Sequence, residues 1–381
     1  MQPAHRLLWL TEHFMPGRGG MAVSCDRIVH GLRKAGVEID LVHLRRAAVT
    51  ELTAPREGGR DITVQAGPDV PHALASLWSR LERENAGWTH VVAFGGALPF
   101  SAGPAYAAWL GVPLITLLRG NDFDTGVFAP ERRAALEDAI RRAARVGCVT
   151  DEQRRRVQRL FPGSNATWTP NGIDAEEWSA LPSDRRRAQE IRASSTAPGR
   201  MVLGLFGDLK PKKGIETLLE ALREPALHGR IHCLVAGTAR PEFLMQLPRG
   251  VSATLLAPMP RMDLIPYLLA CDAVALPSLY EGFPNLLLEA AALGVPLVAS
   301  DAGGAGVLAD MVHGVEFRAG DARDCARALE RFVAHQALHA HWRSACFLLA
   351  SEYTAARERD VYLRLLEETA ATVTARVSRL P

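Results

Sequence analysis

Nine short apolar runs, rich in Val, Ile and Leu and often bounded by Gly or Pro, alternate along this chain with stretches of helical periodicity. The runs are Arg6–Leu10, Glu38–Leu44, Thr89–Phe94, Pro113–Leu118 and Val146–Val149, then Val202–Phe206, Ile231–Ala236, Ala273–Leu276 and Pro296–Ala299. Among the helical stretches between and after them are Met21–Lys34, Glu131–Ala144, Ile215–Arg223, Leu286–Leu293 and Cys325–Val333. A strand apolar on both faces must be covered on both faces, and helices between successive strands supply the cover. The alternation therefore predicts α/β architecture with parallel sheets. At 381 residues and 48% hydrophobic content, the chain exceeds one core and has enough apolar residues for two.

The alternation breaks once, in the polar stretch between about Asp174 and Arg200, and restarts at Met201–Gly207. This predicts a first Rossmann-like domain over 1–175, a linker over 176–200 and a second Rossmann-like domain over 201–350. A C-terminal helix over 351–381 is expected to pack back toward the first domain. Ligands of open α/β sheets bind outside the carboxyl ends of the strands, so the crevice between two such domains is the expected site.

Composition excludes several classes. The formal net charge of +2 gives no basic face for nucleic acid. No run approaches a membrane span, and the N-terminal stretch is not a secretory signal. Six cysteines lie far apart with no Cys-x-x-Cys pair, as buried thiols of a reducing compartment do. A cytoplasmic protein is expected, and Asn165-Ala166-Thr167 is then a chance sequon. Arginines from Arg132 to Arg159 suggest peripheral contact with the inner membrane face. The acidic residues interspersed among them favour an ion-paired surface instead.

Three loops carry the chemistry. Gly17-Arg18-Gly19-Gly20-Met21 runs from the first strand region into a helix, where backbone amides can approach a phosphate. It is not the G-x-G-x-x-G fingerprint, which argues against a nicotinamide cofactor. In Gly207-Asp208-Leu209-Lys210-Pro211-Lys212-Lys213-Gly214, three of the chain's four lysines cluster. A chain that otherwise uses arginine has placed compact ammonium groups here, suited to a diphosphate. Glu281 follows the strand Ala273–Leu276 in a Gly/Pro loop, and Glu289 lies eight residues on, within the next helix. Two carboxylates a little over two helical turns apart share a side and accept hydrogen bonds from hydroxyls.

This last segment, Glu281-Gly282-Phe283-Pro284-Asn285-Leu286-Leu287-Leu288-Glu289, resembles the E-x7-E motif of the retaining glycosyltransferase family 4. The early Gly-Gly loop, Pro170-Asn171-Gly172-Ile173-Asp174, the Lys-Gly loop and Gly303-Gly304 stand in the same order as in that family. The resemblance implies the GT-B fold, two Rossmann-like domains facing across a cleft. It implies transfer of a hexose-type sugar from a UDP-, GDP- or other nucleoside-diphosphate sugar to a glycan, lipid-linked or small-molecule acceptor. No metal or other cofactor is expected. By the same resemblance, Gly19, Gly20, Gly207, Lys212 and Lys213 would lie at the diphosphate. Glu281 with Phe283, Pro284, Asn285 and Leu286 would hold the sugar, and Glu289 the ribose.

Four positions depart from or lie outside that pattern. Asp208 stands where the family usually has arginine, and Gly306 where it usually has glutamate. Arg119 stands where a histidine commonly touches the transferred sugar, which points to an anionic group on donor or acceptor. Asp122, in a D-x-D look-alike with Asp124, would orient an acceptor hydroxyl rather than bind metal. The rival readings are a non-catalytic nucleotide-sugar binder, motivated by these substitutions, and a nucleotide-sugar epimerase. Acceptor contacts are expected in loops around 45–75 and 95–130.

Overall fold

The computed structural model describes residues 5–17, 19–84, 86–237 and 245–377. The chain divides into two α/β units, Met1–Asn171 with Ala355–Pro381, and Gly172–Thr354.

In the first unit, eight strands run in the order β3-β4-β2-β1-β5-β6-β7-β8. Six of them are β1 (Arg6–Thr11), β2 (Glu38–Arg45), β5 (His90–Phe94), β6 (Leu114–Leu118), β7 (Arg145–Cys148) and β8 (Ala166–Trp168). All neighbours pair in parallel except the hairpin of β3 (Leu52–Arg56) and β4 (Gly59–Gln65). Side chains alternate across a strand, so β1 feeds two cores. Leu8 and Leu10 pack on one face with Val91, Tyr106 and Phe123. Leu7 and Trp9 pack on the other with Ile28 and Leu32 of helix α1 (Gly20–Lys34) and with Tyr362, Leu365 and Leu366. These last three belong to the terminal helix Ala355–Val377, so residues distant in sequence complete the first core. That helix packs against α1 at Gly31, where a Cβ would meet Arg359 Cβ at an ordinary contact distance of 3.9 Å. Beside it the Arg27 guanidinium meets Glu358 at 2.6 Å.

In the second unit, six parallel strands run in the order β11-β10-β9-β12-β13-β14. They are β9 (Met201–Gly207), β10 (Ile231–Gly237), β11 (Ser252–Leu256), β12 (Ala273–Leu276), β13 (Leu297–Ser300) and β14 (Gly314–Phe317). The chain leaves β9 in one direction to β10 and later crosses to β12 on its other side. That reversal opens the loops after β9 and β12 beside each other, the usual place for a ligand in such a sheet.

The polar segment 176–200 contains a helix, Pro182–Ser195. Its Ala188 and Ile191 are buried, and its Arg192 reaches Asp272 at 2.8 Å. All six cysteines are buried and free. Among the described residues no helix is long and apolar enough to cross a membrane.

Candidate active site

Three loops at the carboxyl ends of the neighbouring strands β9, β12 and β13 are stitched together in the second unit. After Gly207 the chain makes a 3-10 turn, Pro211–Lys213, then reaches Gly214 at the start of helix Ile215–Ala221. Gly214 has φ +64°, and a Cβ there would lie 1.7 Å from the carbonyl oxygen of Pro277. Only glycine allows this loop to sit against the one after β12. The amide of Leu279 then donates to the carbonyl of Lys212 at 2.8 Å. On the other side, Ser300 Oγ donates to the carbonyl of Ser278 at 2.6 Å, and the Gly304 amide to that of Gly282 at 2.6 Å. Gly303, at φ +59°, would put a Cβ 1.8 Å from the carbonyl oxygen of Glu281.

This framework brings two of the three clustered lysines to one carboxylate. The Lys213 ammonium donates to Glu281, and the Lys212 ammonium stands 3.8 Å from Glu281 Oε1. Lys210 instead pairs with Asp208 at 2.7 Å, where both side chains are well exposed. Burial holds the Lys212 ammonium below its usual pKa, with Lys213 and Lys210 adding to the effect and Glu281 opposing it. Crowded cations of this kind favour a multiply charged anion.

Phe283 is buried and packs against Tyr353 with ring centroids 5.3 Å apart. Pro284 precedes the helix Asn285–Ala292, on which Leu286 is half-buried and Glu289 is 5% exposed. A buried carboxylate needs a partner. Arg261 Nε supplies it, donating to Glu289 Oε1 at 2.7 Å, while the guanidinium stacks 4.7 Å above the ring of Trp178. Neither Arg261 nor Trp178 is picked out by sequence reasoning. The available signal is a lone tryptophan four residues after Asp174, in an otherwise polar stretch.

The first unit holds the remaining candidates. Gly19, at φ +114°, precedes helix α1, which Gly20 opens. Arg18 lies outside the described residues. Arg119 is buried, and its guanidinium donates to Asn171 Oδ1 and, at 2.9 Å, to the Tyr362 hydroxyl. It also lies 5.4 Å from the Phe94 ring centre. Asp122 accepts from the amides of Arg119 and Phe123, and Asp124 pairs with Arg156 at 3.2 Å. Among the described residues no three His, Cys, Asp or Glu side chains converge as metal ligands. Arg133, Arg142, Arg154 and Arg156 pair with Glu137, Asp138, Asp151 and Glu152 respectively.

Asp122 is partly exposed, yet the protein packed around it pushes its carboxyl up to about 6, burial outweighing the amide bonds and Arg119. In the fold this group keeps a proton that the unfolded chain has already lost. It therefore subtracts stability as pH rises from the ordinary 3.8 to about 6. Asp122→Asn is expected to remove that decline. Denaturant unfolding of both proteins across this interval checks it, and identical pH slopes would contradict it.

The segments around these loops match known families. Residues 18–177 match the family described as Glycosyltransferase Family 4, and residues 200–335 match Glycosyl transferases group 1. The D-inositol 3-phosphate glycosyltransferase of Geodermatophilus obscurus is 30% identical over 390 aligned positions, covering 89% of this chain and 85% of that protein. The chain belongs to glycosyltransferase family 4. Among solved structures, sucrose-phosphate synthase from Thermosynechococcus elongatus superposes with a TM-score of 0.81. The superposition covers 97% of this chain and 100% of that one, at 19% identity. Anabaena HepE in complex with UDP and glucose gives 0.74, covering 96% and 100% at 20% identity. The fold of this family 4 glycosyltransferase is thus GT-B, with a Rossmann-like sheet in each unit.

Proposed function

We propose that this glycosyltransferase takes its sugar from a nucleoside diphosphate and transfers it with retention of anomeric configuration, without a metal ion. The observation that carries the proposal is the convergence of Lys212, Lys213 and Glu281 at the β9–β12 reversal. Diphosphate oxygens compete with Glu281 for the two ammonium groups, and Glu281 is released to a sugar hydroxyl. Gly207 and Gly214 let the backbone approach, and the helix opening at Asn285 adds favourable partial charge. Glu289 accepts from the ribose, while Phe283, Pro284 and Leu286 wall the sugar. Gly19 and Gly20 open helix α1, whose first backbone amides suit an anionic group.

Bond cleavage leaves charge on the departing diphosphate, which Lys213 stabilises where it develops. That diphosphate then takes the acceptor's proton on the face where the new bond forms, so the configuration is kept. Asp122 orients the acceptor hydroxyl. Arg119, whose guanidinium holds Asn171 and Tyr362, acts as a positioning residue. The name of the Geodermatophilus relative supports a phosphorylated cyclitol as the first acceptor to try, and the HepE complex supports a UDP-sugar donor. Acceptor-dependent transfer separates this reading from a non-catalytic binder and from an epimerase.

The test is the product's anomeric proton coupling, from a reaction run in EDTA with an α-configured UDP- or GDP-sugar. An α-linked product is expected. A β-linked product would overturn retention, and loss of turnover in EDTA would overturn metal independence.

A further inference from the structure

Arg261 lies in a part of the second unit to which the proposed chemistry gives no role. It follows β11 and precedes the helix Ile265–Leu269, far in sequence from both glutamates. Yet its guanidinium donates to the nearly buried Glu289, with Nε 2.7 Å from Oε1. The other side of that planar group is set by Trp178, 4.7 Å away and 0% exposed. Trp178 is itself fixed by the turn that Asp174 opens. The Trp178 amide donates to the Asp174 carbonyl at 3.0 Å, and the Asp174 carboxylate accepts from the amides of Glu176 and Glu177 at 3.0 and 3.2 Å. The contacts thus run from a capped turn through a buried ring and a stacked guanidinium to a carboxylate.

An arginine can serve both purposes because its fork is flat and permanently charged. It stacks and donates at once, which an ammonium does not. A carboxylate this deeply placed needs charged donors that fix where it points. Held by Arg261, it keeps one orientation.

We propose that Arg261, clamped by Trp178, is the positioning residue that makes Glu289 a selector for ribose over deoxyribose in the nucleotide. The inference rests on the donor reading above. A charged acceptor aimed at a vicinal diol gains strongly from both hydroxyls. Without the clamp, Glu289 loses the charged donor that orients it, and the 2′-hydroxyl adds little.

The experiment measures calorimetric affinities of the full chain for UDP, GDP and ADP and for their 2′-deoxy forms. Wild type is expected to prefer the ribonucleotide of its cognate base by about tenfold or more, the range of a hydrogen bond to a charged group. Arg261→Ala should lose most of that preference, to within about threefold, while binding the deoxynucleotide nearly as well as wild type. Arg261→Lys, which keeps the charge but not the fork, should fall between. A merely structural ion pair would weaken both nucleotides alike and leave their ratio unchanged, and that result overturns the proposal. If Arg261→Ala does not fold, Arg261→Lys decides, and a wild-type ratio in it is equally fatal. Failure of wild type to bind any of the three diphosphates would instead sink the donor reading itself.

Discussion

Lys213→Ala is expected to lower kcat by about 10²–10³, as loss of one preorganised electrostatic donor typically does. The ammonium's position is fixed by a short turn and by Gly214, which presses that turn against the loop after β12. Charge on the bridging oxygen grows as the sugar departs, so an ammonium placed there binds the transition state better than the ground state. The loss should therefore fall mainly on kcat rather than on the donor's KM. Lys212 compensates little. It stands 3.8 Å from Glu281, farther from that carboxylate than Lys213. Steady-state kinetics of the folded variant check this, and a wild-type kcat would remove Lys213 from the site.

Gly303→Ala is expected to cost about 2–5 kcal/mol, combining a left-handed backbone with overpacking. The residue sits at φ +59°, and the added methyl would arrive 1.8 Å from the carbonyl oxygen of Glu281. Backbone, not a flexible side chain, has to yield. The loop carrying Glu281 would be displaced, and misplacing a catalytic group by about 1 Å can cost about 10²-fold in rate. Gly306 provides an internal control in the same turn, because a Cβ there meets nothing within 4 Å. Gly306→Ala should change stability by less than about 0.5 kcal/mol. Urea unfolding of the pair measures both effects, and equal stabilities would refute the account of how these loops interlock.

Strands that are apolar throughout were the easiest elements to read. Ala273–Leu276 has the same limits in sequence and structure, and the other eight differ by a residue at one or both ends. The elements that escaped lack such a signal. In β3, Leu52–Arg56, one proline and exposure at all but Ala54 mask the pairing with β4, so regular structure fills part of the stretch read as loop at 45–75. Helix Ala97–Leu110 is buried along most of its length and holds Pro104, so it shows no amphipathic stripe, and it too falls where loops were expected. The helix Pro182–Ser195 buries few residues in a highly charged run, which reads as linker.

At the site, the residues legible in sequence were those whose spacing is local, namely the Lys-Gly loop and the two glutamates. Arg261 reaches Glu289, and Trp178 reaches Arg261, only through the fold. They are 28 and 111 positions away from it, so no window along the chain links them. Arg119 shows the opposite problem. Its position suggested sugar contact, and only the structure reveals a guanidinium directed at Asn171 and at a tyrosine of the terminal helix.

The proposed reaction requires that a sugar nucleotide displace one carboxylate from a pair of ammonium groups. A crystal structure with the bound nucleoside diphosphate tests it most directly. Phosphate oxygens should lie about 2.7–3.2 Å from Lys213 Nζ, with the ribose hydroxyls at a similar distance from Glu289. A nucleotide seated elsewhere, with Lys213 still donating to Glu281, would overturn the proposed donor site.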